Sequence, residues 1–231
     1  MKKTEAPLKI KTVRQTFRLT GITPILGSTP ADFESYSYLV ENMRKTNPMA
    51  ADLMEADRDL MPTREDIGMD EEDNSPVTGF QRDRESKEII LHQQIKGFFK
   101  NAGKVLGKQF GYTQYRAKVD DFMSINPVNV KITRDGKPLM QADRLFKRSL
   151  RASTARGDRI ALATSELIEA GWQAEFTVVL IKNEATDKSR ALNMEMVRAL
   201  LEYGQFVGLG QWRNGDYGRF TWEAVSEEIE N

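Results

Sequence analysis

Five of the chain's sixteen glycines fall within fifteen residues, Gly204 to Gly218, in the run EYGQFVGLGQWRNGDYGRF. Glycine admits positive φ and lets a backbone approach a neighbour closely. Backbone N–H groups in such a loop can cradle phosphate oxygens. Arg213 and Arg219 can pair with phosphate in a bidentate manner, and Trp212 and Tyr217 offer faces on which single-stranded bases stack. The run lacks the lysine and hydroxyl of a P-loop and follows a helix instead of opening one, so it is neither a nucleotide-hydrolysis loop nor a dinucleotide loop. The competing reading is a tight connection whose aromatics pack beneath it.

Two basic stretches add to this chemistry. Lys96, Lys100, Lys104 and Lys108 recur every four residues, which on a helix makes one stripe. Gly97 and Gly103 interrupt that helix and are easier to understand where another backbone comes close. Further on, Arg144, Lys147, Arg148, Arg151, Arg156 and Arg159 follow in a strand-like run. Net charge is zero, but it is segregated: residues 52–88 hold 13 acids and 5 bases, and residues 94–160 hold 15 bases and 5 acids. That permits a basic face for nucleic acid or head-to-tail self-association; two ordinary solvated surfaces are the plain alternative.

Catalytic options are few. With no cysteine there is no thiol nucleophile, disulfide or thiolate metal site, which fits a reducing cytoplasm. The one histidine, His92, excludes an imidazole-rich metal site, and no second group at a telling spacing makes it a general acid or base. Asp32 follows the turn GSTPA, where an aspartate is ordinarily a helix N-cap. Glu71, Glu72 and Asp73 lack the fixed turn pattern of a cation loop. No metal or cofactor is expected. No run of eighteen apolar residues exists, and the start MKKTEAPLKIKTVRQ has no apolar core behind its lysines. Neither a membrane span nor a signal peptide is expected, and the cytoplasm is the expected compartment.

The elements that must position these residues read as follows. Val13–Leu19 alternates as a strand and breaks at Gly21 and Pro24. A helix starts at Pro30 or Asp32 and ends before Pro48. The acidic stretch 49–88 reads as an insertion, helical at 49–60 and otherwise extended. A helix covers the lysine stripe. Asp135-Gly136 is a hairpin turn between VNVKIT and KPLMQA, and Phe176–Ile181 is a central strand. A helix carries Leu192, Met196, Leu200 and Phe206 or Leu201 on its buried side and ends at a Gly204 cap, and GRFTWEAV is the last strand. Trp172, Phe176 and Trp222 belong to the core. This order predicts an α+β fold with helices on one face of an antiparallel sheet, a ferredoxin-like or RRM-like core.

The loop, standing as Gly208-x-Gly210-x-x-Arg213-x-x-x-Tyr217-Gly218-Arg219-Phe220, resembles the closing glycine-rich loop of the RAMP superfamily, the repeat-associated RNA-binding proteins of CRISPR systems. LTGITPILGS (19–28) resembles that family's first strand and turn. IKGFFKNAGK (95–104) resembles its lysine–glycine–apolar helix start. TSELIEAGWQAEFTVVLI (164–181) resembles its entry into a strand, with Glu169-Ala170 where proline is frequent. The motifs keep the family's order from Leu19 to Phe220, and the size and basic middle hairpin look most like the backbone subunit.

The resemblance implies a single RRM-like domain over 1–231, with the acidic insertion at 49–88 and a basic thumb-like hairpin at about 126–159. It implies a non-catalytic antiviral-defence protein that binds single-stranded guide RNA and assembles with copies of itself and other effector subunits. Lys96, Lys100, Lys104, Arg144, Lys147, Arg148, Arg151, Arg156, Gly208, Gly210, Trp212, Arg213, Tyr217 and Arg219 would contact the RNA. Two alternatives stay open: a RAMP-like protein of a phage or mobile element that binds single strands or interferes with a host complex, and a RAMP-type endoribonuclease using Asp32 or His92.

Overall fold

The computed structural model describes residues 10–46, 48–69, 76–109, 111, 114–154, 157–182 and 192–230. In chain order the strands are β1 (Thr12–Gly21), β2 (Ile25–Leu26), β3 (Thr29–Pro30), β4 (Val77–Gly79), β5 (Gln81–Arg82), β6 (Glu88–Leu91), β7 (Met123–Asn126), β8 (Asn129–Arg134), β9 (Lys137–Pro138), β10 (Arg144–Thr154), β11 (Gly157–Ile168), β12 (Gln173–Ile181), β13 (Phe220–Ala224) and β14 (Ile229–Glu230). The helices are α1 (Phe33–Thr46), α2 (Pro48–Ala56), α3 (His92–Leu106), α4 (Tyr115–Phe122) and α5 (Met194–Glu202).

The alternation in β1 decides which face it buries. Val13, Gln15, Phe17 and Leu19 point inward, while Arg14, Thr16 and Arg18 point outward. β12 repeats the pattern with Ala174, Phe176, Val178 and Leu180 inward, and pairs antiparallel with β1 from Thr12↔Ile181 to Thr20↔Gln173. The larger sheet runs β13-β1-β12-β8-β6-β5, with β7 also on β12. α3 and α5 cover its inner face. Ile95, Phe98, Phe99 and Ala102 of α3 and Val197, Leu200 and Leu201 of α5 are buried in one core with Phe17, Trp172, Phe176 and Phe220. The Phe98 and Phe220 rings meet edge to face at 5.2 Å, and Phe99 meets Phe176 at 6.4 Å. Trp172 and Phe176 are core residues, and Trp222 packs half-buried on Phe17. Phe206, offered as a buried helix residue, is instead exposed, and Leu201 takes the buried place. The reason is that α5 tightens into a 3-10 turn at Tyr203–Gln205, which rotates residue 206 out of register.

A second sheet runs β10-β11-β4-β3, with β2 on β11. Its β10 and β11 form a ribbon paired from Arg144↔Leu167 to Thr154↔Gly157, roughly 37 Å long at strand rise. β4 meets β11 at Thr164 and Ser165, and β2 meets it at Leu167 and Ile168. Among the described residues the far half of the ribbon therefore pairs only with itself.

The basic region at about 126–159 divides into two hairpins. The first, β8–β9, is short and turns at Asp135 (φ 52°) and Gly136 (φ 73°), the positive-φ pair that an Asp-Gly turn requires. The second is the ribbon, which extends to Ile168. The acidic stretch is tied to both sheets: β4 pairs in parallel with β11, and β5 pairs with β6 at the edge of the larger sheet. No described helix is long and apolar enough to cross a membrane.

Candidate nucleic-acid interface

The glycine-rich run closes on the protein itself. Gly218 N–H donates to Pro24 O at 2.7 Å, Leu209 N–H to Gly218 O at 2.9 Å, and Arg219 N–H to the Thr23 hydroxyl at 2.9 Å. A Cβ on Gly208 would stand 2.0 Å from the Gly218 carbonyl carbon, and one on Gly218, at φ 74°, would stand 1.9 Å from Leu209 O. Gly210, exposed at φ 79°, lies against Leu26 O. Here close backbone approach serves the junction of this loop with the turn after β1.

What the loop presents outward is a stack of rings. Trp212 and Tyr217 lie 5.3 Å apart at 17°, and Phe146 of β10 joins them at 6.0 Å from Trp212 and 5.4 Å from Tyr217. Trp212 stays 40% exposed. Strand alternation places Arg144, Phe146 and Arg148 on one face of β10, and Ser165 stands opposite Phe146 on β11. The Arg148 guanidinium carbon lies 4.9 Å from the Trp212 ring centroid, a cation–π distance.

Arg148 and the neighbouring Arg213 differ from the arginines that are paired with acids. Arg134, Arg144 and Arg198 each hold a carboxylate, and Arg18 and Arg82 each hold two. Arg148, only 8% exposed, has no carboxylate partner among the described residues. Its Nη1 reaches the Ser165 hydroxyl at 3.5 Å, its Nε is buried without a partner, and burial lowers its pKa. Ser165 and Thr78 both donate to Gln211 Oε1, at 2.9 and 3.1 Å, and fix the amide below the rings. Arg213 is likewise met by a neutral group: the Asn101 amide oxygen of α3, turned to accept, receives Nη1 and Nη2 at 2.8 and 3.1 Å. A buried cation without a counter-charge is costly, and an anion arriving from outside offsets that cost. The arrangement can hold an oxyanion beside a flat aromatic surface.

The expected contact residues are distributed as follows. Arg144, Arg148, Trp212 and Tyr217 meet around Phe146 at the ribbon–loop junction, and Arg213, next to Trp212 in the loop, turns to Asn101 of α3. Arg144 also binds Glu169 at 2.8 Å. Arg219 sits in the same loop, 3.7 Å from Asp216. Lys147 is exposed on the opposite face of β10. Arg151 lies further out along the ribbon backbone, and Arg156 lies outside the described residues. Gly208 and Gly210 shape the loop. The lysine stripe is largely engaged elsewhere: Lys96, its pKa lowered by burial, donates to Asp120 O at 3.0 Å, and Lys100 pairs with the Asp120 carboxylate at 2.5 Å. Lys104 is exposed. Gly103 is where the Tyr115 ring of α4 packs, while Gly97 faces open space.

Phe146, Asn101, Ser165, Thr78 and Gln211 complete the junction and were not among the expected residues. The i, i+2, i+4 spacing of Arg144, Phe146 and Arg148 is a strand-face signal for Phe146. Nothing local marks the other four, which come from separate elements.

The catalytic candidates stand apart. Asp32 Oδ1 accepts from Ser35 N–H at 2.7 Å, the N-cap of α1. His92 starts α3 and faces Asp57, whose carboxyl is raised by burial and eased back by the imidazole. No cluster of three or more metal-ligating side chains occurs among the described residues; residues 71–73 lie outside them. No protein-family model matches the chain, and no curated protein is significantly similar to it in sequence.

Proposed function

We propose that this chain is a non-catalytic protein that binds single-stranded RNA at the junction of the β10–β11 ribbon and the glycine-rich loop. The observation that carries the reading is a pair of arginines without a carboxylate among the described residues: Arg148, over the Trp212 ring of the Phe146–Trp212–Tyr217 stack, and Arg213, next to Trp212 in the loop and held by Asn101. Arginine supplies the phosphate contacts and the 40% exposed Trp212 ring supplies the stacking surface.

The RAMP resemblance fits this reading at the level of topology. The strands β1, β8, β12 and β13, with α3 and α5 between them in sequence, lie in the order β13-β1-β12-β8 with antiparallel neighbours. That order is the one expected of the split β-α-β pattern. The outer face of the sheet bears Thr16, Arg18, Glu175, Thr177 and Glu223, with Arg18 held by both glutamates. It lacks the aromatic pair on which RRM sheets stack bases. RNA is therefore assigned to the ribbon and loop. In this proposal the ribbon is the thumb-like element, and copies assemble along a guide RNA with other effector subunits in the cytoplasm.

Fluorescence anisotropy with a labelled single-stranded RNA, titrated at several salt concentrations, tests it. Binding should weaken steeply with salt, in proportion to the phosphates contacted. Absence of binding at low salt would overturn the reading, and cleavage of the probe would replace it with the nuclease one.

A further inference from the structure

Beneath the ribbon lies a second charged cluster with different chemistry. Arg82 of β5, Glu88 of β6 and Glu166 of β11 are all buried, Glu88 completely. Arg82 Nη2 donates to Glu166 Oε1 at 2.6 Å, and Glu166 Oε2 accepts from Phe80 N–H at 2.9 Å. Glu88 Oε1 stands 3.1 Å from the same Nη2, yet neither Glu88 oxygen completes a hydrogen bond. The guanidinium also reaches Phe80 O at 3.2 Å and Asp66 O at 3.5 Å. One cation thus serves two buried carboxylates.

Two like charges on one guanidinium, with a lone-pair surface left unmet, cannot both persist out of water. We propose that Arg82, Glu88 and Glu166 form a proton-dependent latch that fastens the acidic segment to the root of the ribbon and loosens when Glu88 ionises. The proton is assigned to Glu88, because Glu166 accepts two well-formed hydrogen bonds, whereas Glu88 is met only by the weaker approaches of Arg82 Nη2 and the Ala142 backbone amide. Burial and the Glu166 carboxylate push the Glu88 carboxyl up to about 8, with Arg82 opposing. The other charged group facing it is Asp66, from the turn beside β5, and it adds to the rise.

The position makes the latch consequential. On β11, Ser165 contacts Arg148 and Gln211, and its neighbour Glu166 points to the opposite face, into the latch. One strand therefore carries the floor of the arginine–aromatic junction on one side and the latch on the other. The latch itself does not depend on the RNA reading.

The sign follows from the raised value. The closed state holds a proton that an opened state, with Glu88 at its ordinary value near 4.5, releases. Opening therefore becomes up to about tenfold more frequent per pH unit between those two values and levels off above about pH 8.

NMR on the RNA-free protein tests this by two readouts: the carboxyl carbon titration of Glu88, and amide exchange corrected for its intrinsic pH dependence. Wild type should titrate near 8, and β5, β6 and the 162–168 end of β11 should lose protection together as pH rises. Glu88→Gln should keep all three protected and make opening independent of pH. Should that variant fail to fold, Glu166→Gln carries the test, since removing the second carboxylate should lower the Glu88 midpoint by more than about one unit. A Glu88 midpoint in the ordinary carboxylate range, pH-independent opening, or an unmoved midpoint in Glu166→Gln would overturn the latch.

Discussion

Arg148 and Trp212 are 64 residues apart in sequence, yet the guanidinium carbon of one lies 4.9 Å from the ring centroid of the other. The pair joins the ribbon to the glycine-rich loop, and its charge has no internal counterpart among the described residues. A purely architectural arginine at this depth would hold a carboxylate, as Arg82 does. This one is available to an external anion.

Replacing Arg148 by methionine keeps the stem's packing and removes the buried charge. Stability should stay within about 0.5 kcal/mol of wild type or rise, because an unpaired buried charge is lost. Affinity for single-stranded RNA should fall about tenfold, and the salt slope should drop by about one phosphate contact. Chemical denaturation and salt-dependent anisotropy measure the two effects separately. A large stability loss would mark Arg148 as structural.

Trp212→Ala should weaken RNA binding by about 1–3 kcal/mol, roughly thirtyfold at the middle of that range. Trp212→Phe should recover part of it, since a ring remains on Tyr217 and Phe146. Equal affinity for all three would show that the stack only packs.

The glycines separate two physical roles. Gly218→Ala forces a Cβ to within 1.9 Å of Leu209 O at φ 74°, and thermal unfolding should show a loss of about 2 kcal/mol or more. Gly97→Ala, on the exposed side of α3 with nothing within 4 Å, should instead stabilise by about 0.5–1 kcal/mol.

Acid should act on the Arg134–Asp143 pair. Two hydrogen bonds, at 2.8 and 2.7 Å, link the guanidinium to the carboxylate and hold Asp143 below its ordinary value. A lowered carboxylate contributes stability above its unfolded value near 3.8, and that contribution is lost as pH falls through the folded value. Unfolding followed from about pH 5 downward should steepen in wild type relative to Asp143→Asn.

Much of the fold was legible because periodicity is local. The alternation of β1 and β12, the apolar spacing of α3, the Asp-Gly turn and the Asp32 cap each follow from neighbours a few residues apart. The lysine stripe was legible as a stripe, but its use was not. Asp120 of α4 takes up Lys96 and Lys100 because Gly103 lets Tyr115 press α4 onto α3, a contact no spacing announces.

By itself, the sequence determined the chemistry at hand: arginines, aromatic rings and glycines in one loop, a basic ribbon, no thiol and a single imidazole. Tertiary structure decided how these were deployed. It turned the glycines inward to seat the loop on the turn after β1, gathered Phe146, Arg148 and Trp212, and buried Glu88 and Glu166 on one arginine. The physical reason is that burial and charge pairing depend on which distant strands become neighbours, and only the paired sheets establish that.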